Sequence, residues 1–139
     1  VLGAVGALEW QRRGVEVPEV GGRIHPHRGV FAPVRRETVS LVAAELGERS
    51  LEGQRAFDVG TGTGVLAILL ARRGARVVAT DASPAAVACA RENVDRFGLA
   101  GRVEEPGEHA GPHDQHDIGV LQGLAHRGRG RSGCGGATS

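Results

Sequence analysis

Apolar residues recur along this chain at two spacings, and the switches between them mark out its elements. From Val65 to Arg73 the positions Val65, Leu66, Ile68, Leu69 and Leu70 leave almost no polar face, which predicts a helix buried against other structure. Val39, Val42, Ala43 and Leu46 fall at helical intervals, so Pro33 to Leu46 reads as a helix with one face on a sheet. Ala86, Val87, Cys89, Ala90, Val94 and Phe97 repeat that spacing behind Ser83 and Pro84, an N-cap and a first helical residue, with Gly98 as the stop. Shorter apolar runs at Ala56 to Val59 and Val77 to Thr80 have the length of buried strands, and Gly101 to Glu104 opens another. Strand and helix alternating through short links predict parallel pairing and right-handed crossovers. Ahead of this core, Val5, Leu8 and Trp10 suggest the end of a helix up to Arg13. Gly14 to Phe31 mixes short apolar pieces with Pro18, Gly21, Gly22 and Pro26, the pattern of a small hairpin.

Between the first core strand and the buried helix lies Asp58-Val59-Gly60-Thr61-Gly62-Thr63-Gly64-Val65. Glycine at alternate positions allows sharp bends and positive φ, and leaves the backbone open to another molecule. The turn opens a helix, whose first amides lack internal partners and attract anionic groups. A dinucleotide fingerprint starting at Gly60 needs glycine or alanine at position 65, where this chain has Val65. A P-loop needs lysine after its glycines, and the chain has no lysine. What stays is an acid, the alternating glycines, and a second strand, Arg76 to Thr80, that ends in Asp81.

That combination resembles the class I S-adenosylmethionine-dependent methyltransferases. Gly29-Val30-Phe31-Ala32-Pro33-Val34-Arg35-Arg36-Glu37-Thr38 adds to it, being similar to the segment before the nucleotide loop in the small-domain group that methylates amino or amide nitrogens, on release-factor glutamine or ribosomal RNA guanine. The resemblance covers Gly29 to Val103. It implies an α/β fold, a Rossmann-like parallel sheet with helices on both faces, incomplete here at about three core strands, with a short N-terminal hairpin and a disordered C-terminal tail. The expected division is 1–32 for helix end and hairpin, 33–105 for the S-adenosylmethionine-binding part, and 106–139 for the tail.

The resemblance also assigns the cofactor-binding residues Asp58, Gly60, Thr61, Gly62, Gly64, Asp81 and Ala82. Asp81 is expected to accept hydrogen bonds from both ribose hydroxyls, Ala82 to lie against adenine, and the glycine backbone to approach the methionyl part. Asp58 is expected to orient the cofactor's ammonium through water. Arg35, Arg36 and Glu37 are either site residues or a solvated first helical turn. Family members that attack amide nitrogens carry an Asn-Pro-Pro-aromatic motif after the fourth strand. Here the nearest stretch is Asp117 to Leu124, with Gln122 at the Asn position and no prolines, so no catalytic residue is assigned.

Composition narrows the reading further. A net charge of +1 supplies no global attraction to nucleic acid or membrane, and no strong basic patch is visible. No apolar run reaches the ~18 residues of a membrane span, nor is there a signal-peptide pattern, so a cytoplasmic protein is the expectation. The chain starts at Val1 and has no methionine, which suggests an incomplete N-terminus. Cys89 and Cys134 lack metal spacing, and Cys89 reads as a small core residue; His25 and His27 read as exposed loop histidines, so no metal is expected. From Gly107 on, the chain holds nine of its 23 glycines and four of its six histidines, and Pro106 interrupts the third strand. Such a tail is expected to be disordered, or the out-of-frame translation of a region that held the missing motif. The Arg127 to Arg131 alternation has no interleaved aromatic of the kind a nucleic-acid tail uses.

The function expected is therefore transfer of a methyl group from S-adenosylmethionine to an amino or amide nitrogen, on protein glutamine, ribosomal RNA guanine or a small molecule. The alternative is a non-catalytic cofactor-binding remnant or partner subunit. A nucleotide-binding oxidoreductase is the third reading, against which Val65 stands.

Overall fold

The computed structural model describes residues 2–32 and 36–104. Helix α1 (Leu2–Arg13) leads into an antiparallel hairpin of β1 (Val15–Val17) and β2 (Gly22–Ile24), joined by a single 3-10 turn at Pro18–Val20. Then come α2 (Glu37–Leu46), β3 (Arg55–Val59), α3 (Val65–Arg72), β4 (Arg76–Thr80), α4 (Pro84–Arg96) and β5 (Val103–Glu104). Strands β3, β4 and β5 pair in that order, all parallel, with Ala56 beside Val77 and Val77 beside Val103. The expected start of α2 is Pro33, but Glu37 is its first helical residue; 33–35 lie outside the described residues, as does the expected tail beyond residue 104.

Two right-handed crossovers that step in one direction along a sheet put their helices on the same face. The register confirms the consequence: Ala56, Val77, Ala79 and Val103 point to one side and are packed there with Ala67 and Ala71 of α3. Alanines on both partners let that helix lie close to the strands. On the other side Phe57 and Val59 are 41% and 79% exposed, so among the described residues helices cover one face only. A helix on the second face would need a connection leaving β3 in the opposite direction.

The reverse side of α3 makes a second core. Val65, Ile68 and Leu69 pack against Val17, Val20 and Ile24 of the hairpin, Val39 of α2 and Val94 of α4. The hairpin thus shares a core with the sheet domain. Burying side chains such as Ile68 and Leu69 contributes roughly 2 kcal/mol each, which is why a short hairpin with few ladder bonds is held in place. Gly22 is required by this packing, since a Cβ there would lie 2.8 Å from the Phe97 ring at the end of α4.

Candidate functional site

Strands β3 and β4 both end at the glycine turn, and the turn is tied to them by backbone. The Thr80 carbonyl accepts the N–H groups of Gly60 and Thr61, each at 2.8 Å, and the Thr61 carbonyl accepts that of Gly64 at 2.8 Å. Gly60, Gly62 and Gly64 all have positive φ, at 78°, 57° and 82°. Their surroundings differ. At Gly64 a Cβ would meet the Ala90 Cα and Cβ of α4 at 3.1 Å, whereas at Gly60 and Gly62 it would meet nothing within 4 Å. Gly64 is needed for helix packing; Gly60 and Gly62 present bare backbone to open space.

The two acids are also placed differently. Asp58 is 7% exposed, and its Oδ2 accepts the Thr61 hydroxyl at 2.8 Å and the Ala67 N–H at 3.1 Å. Ala67 N–H belongs to the first turn of α3, where no carbonyl of the same helix is available, so Asp58 acts as an internal cap. Burial pushes the Asp58 carboxyl above its ordinary range against these two hydrogen bonds, and the Asp81 charge adds to the rise. Asp81 sits half-exposed at the end of β4. Its Oδ1 accepts Ser83 N–H and its Oδ2 accepts Gly62 N–H, both at 2.9 Å. Those backbone donors hold the Asp81 carboxyl below the usual range, so it stays ionised at neutral pH. Ala82 beside it is exposed.

Ser83 caps α4 as the sequence indicated, accepting Ala86 N–H at 3.3 Å. A cavity of about 390 Å³ lies between α4 and the strand ends, with Thr61, Ala79, Val87 and Ala90 in its wall. His25 and His27 are half-buried and bonded, which differs from the exposed loop expected: His25 Nδ1 lies 3.2 Å from Gln11 O, and His27 Nε2 lies 2.9 Å from Glu92 Oε2. Packing of the post-hairpin segment along α4 is the reason. Arg36 and Glu37 are exposed, Arg36 lying 3.9 Å from Glu19. Cys89 is a buried free thiol, in line with a core role, and burial pushes its pKa up.

One residue that matters here escaped the sequence reading. Asn93 is 0% exposed on α4, and its amide touches both the glycine turn and the segment at His25. The available signal was a polar amide on the apolar stripe between Ala90 and Val94.

An acid-glycine turn with a second acid at the next strand end is the arrangement that the sequence resemblance rests on. The family model described as "Ribosomal protein L11 methyltransferase (PrmA)" matches residues 35–126. The chain belongs to that family. The match runs past Val103, where the motif resemblance had ended. The ribosomal protein L11 methyltransferase of Deinococcus radiodurans is 35% identical over 95 residues, covering 68% of this chain and 34% of the relative. The release factor glutamine methyltransferase of Cereibacter sphaeroides is 44% identical over 86 residues, covering 60% of this chain and 30% of the relative. The chain thus spans about a third of the length of these curated relatives. Among solved structures, precorrin 8W decarboxylase of Methanobacterium thermoautotrophicum matches with TM-score 0.50 and 31% identity, over 61% of this chain and 45% of that one. Among the described residues no helix is long and apolar enough to cross a membrane.

Proposed function

We propose that this chain is the cofactor-binding part of an S-adenosylmethionine-dependent methyltransferase that acts on an amino or amide nitrogen of a protein. The observation that carries the reading is the outer side of the glycine turn: bare backbone at Gly60 and Gly62 facing open space, beside an ionised Asp81 at the next strand end. Those features fit a ribonucleoside attached to an amino acid. In this reading Asp81 accepts from the ribose hydroxyls, which an exposed carboxylate with spare lone pairs can do while keeping its backbone donors. A phosphate in place of a hydroxyl would meet like charge there, which selects against phosphorylated nucleotides. Gly60, Thr61 and Gly62 form the wall for the methionyl part, Gly64 sets the turn behind them by packing on Ala90, and Ala82 leaves room beside adenine. Asp58 acts from behind this wall, fixing Thr61 and the start of α3, and its charge favours a nearby ammonium.

When bound, the cofactor supplies an electrophilic methyl on a sulfonium. The protein's part is to hold that carbon in line with a substrate nitrogen and keep water out. Protein is favoured as substrate because the relatives named above are methyltransferases of ribosomal protein L11 and of release factor glutamine.

The test is calorimetric titration with S-adenosylmethionine, S-adenosylhomocysteine and a nicotinamide dinucleotide, on the wild type and Asp81→Ala. Binding of the two sulfur nucleotides, weakened at least about a hundredfold in the variant by loss of two hydrogen bonds to a charged group, is the expected result. Preference for the dinucleotide would overturn it. Nucleotide binding without label transfer to L11 or release factor would favour a cofactor-binding subunit that lacks its own substrate loop.

A further inference from the structure

Asn93 uses its side chain mainly to hold two backbone segments that are remote in sequence, with a longer contact of 3.6 Å to Cys89 Sγ. Its Oδ1 accepts His25 N–H at 2.8 Å, while its Nδ2 donates to His25 O and to Thr63 O, each at 3.0 Å. Cys89, one helical turn earlier, takes the neighbouring groups: its Sγ accepts His27 N–H at 3.2 Å and its thiol donates to His25 O at 3.4 Å. Between them Ala90 receives Gly64 at close range. One stripe of α4 therefore grips the glycine turn on one side and the segment after the hairpin on the other. A buried amide is costly unless each donor and acceptor is paired, and here the pairing is complete. A leucine at position 93 would fill the same space and leave His25 N–H, His25 O and Thr63 O without it.

We propose that Asn93 is a positioning residue for the glycine turn. By holding the Thr63 carbonyl it orients the Gly60 to Gly64 backbone, and by holding His25 it couples that backbone to residues 25–32. It touches no ligand, and its effect on binding rests on the reading that the turn holds S-adenosylmethionine. The coupling links the turn to a segment that carries the exposed Phe31, so a substrate pressing on that segment would be felt at the cofactor wall.

Asn93→Asp is close to isosteric, keeping the acceptor for His25 N–H and replacing both donors with an oxygen that faces Thr63 O. Leu51→Ala is the control, a cavity variant of a buried residue in the core between α3 and the sheet, outside the wall of the site cavity. Backbone amide spectra and hydrogen exchange of the full chain are recorded for both, with calorimetry against S-adenosylhomocysteine. The expected result is that Asn93→Asp shifts and deprotects the amides of Thr61 to Val65 and weakens the nucleotide about tenfold. Leu51→Ala lowers the melting temperature but leaves both readouts near wild type. Equal behaviour of the two variants would overturn the proposal, since it would make Asn93 a stability residue only. If the wild type binds no nucleotide, the cofactor reading fails, yet the contrast in loop amides still decides the positioning role. Should Asn93→Asp not fold, Cys89→Ala removes the Sγ bonds to His25 and His27 and a longer one, 3.6 Å, from the Asn93 amide, with no bond of its own to the turn. Amides at His27 to Phe31 and at the turn moving together support the coupling, and movement of the segment alone overturns it.

Discussion

The inner and outer sides of the glycine turn are built from the same residue types and are put to opposite uses. On the inner side Asp58, Thr61, Thr63 and Gly64 are buried, Asp58 bonded to Thr61 and the start of α3 and Gly64 packed against Ala90 of α4. On the outer side a Cβ at Gly60 or Gly62 would meet nothing within 4 Å, and the partners of Asp81 among the described residues are backbone N–H groups at its own strand end and in the turn. An acid and a glycine on the inner side hold the chain together; an acid and two glycines on the outer side leave it accessible. Residue type alone does not separate structure from site in such a turn. The direction in which each group points does.

The contrast is broken most severely at Gly64. Gly64→Ala combines a left-handed φ for a non-glycine residue with a Cβ 3.1 Å from Ala90 Cα, and it should lower unfolding free energy by about 3 kcal/mol, measured by urea denaturation. Asp58→Ala leaves the Thr61 hydroxyl and Ala67 N–H without their acceptor, and a loss of about 2 kcal/mol is expected. Both act on folding before they act on any ligand.

Acid titration sharpens the comparison because the two carboxyls shift in opposite directions. Asp81, held below its ordinary value, contributes stability that is present above the unfolded aspartate pKa of about 3.9 and is lost as pH falls through its lower folded value. Asp58 is raised, so its contribution is present below the unfolded value and is lost as pH rises through the folded one. Asp81→Asn should therefore flatten the acid side of the stability profile. Asp58→Asn should flatten the decline above the unfolded value, and Asp81→Asn should also ease that decline because it removes a charge that raises Asp58. Thermal melts across the acid range check all three. The smallest stability effect belongs to Gly60→Ala, about 1 kcal/mol from strain at φ 78° alone. If the cofactor lies against that backbone, its affinity falls by more than this, which separates the outer side from the inner one.

Much of this was legible in the chain. The alternation of strand and helix, the Ser83-Pro84 helix start, the glycine turn and the acids that flank it are local patterns, and each came out where the periodicity placed it. The helix ends differ more: α3 closes at Arg72, one residue before Arg73, and α2 opens at Glu37, four residues after Pro33, with 33–35 outside the described residues. The histidines were harder. His25 and His27 look like exposed loop residues because nothing in their neighbourhood anticipates the α4 residues Asn93 and Glu92, more than 60 positions later, that bond them.

By itself the sequence determined the order and type of the elements, the need for positive φ at Gly60, Gly62 and Gly64, and a family likeness strong enough to name a cofactor. Those depend on steric and hydrophobic preferences that act within a few residues. Only the tertiary structure decided which glycine packs and which stays open, that Asp58 turns inward while Asp81 faces out, that among the described residues helices cover one face of the sheet, and that Asn93 joins Thr63 to His25 across 30 and 68 positions of sequence. Hydrogen-bond partners at that separation are chosen by how helices and strands pack, and no local pattern carries that information.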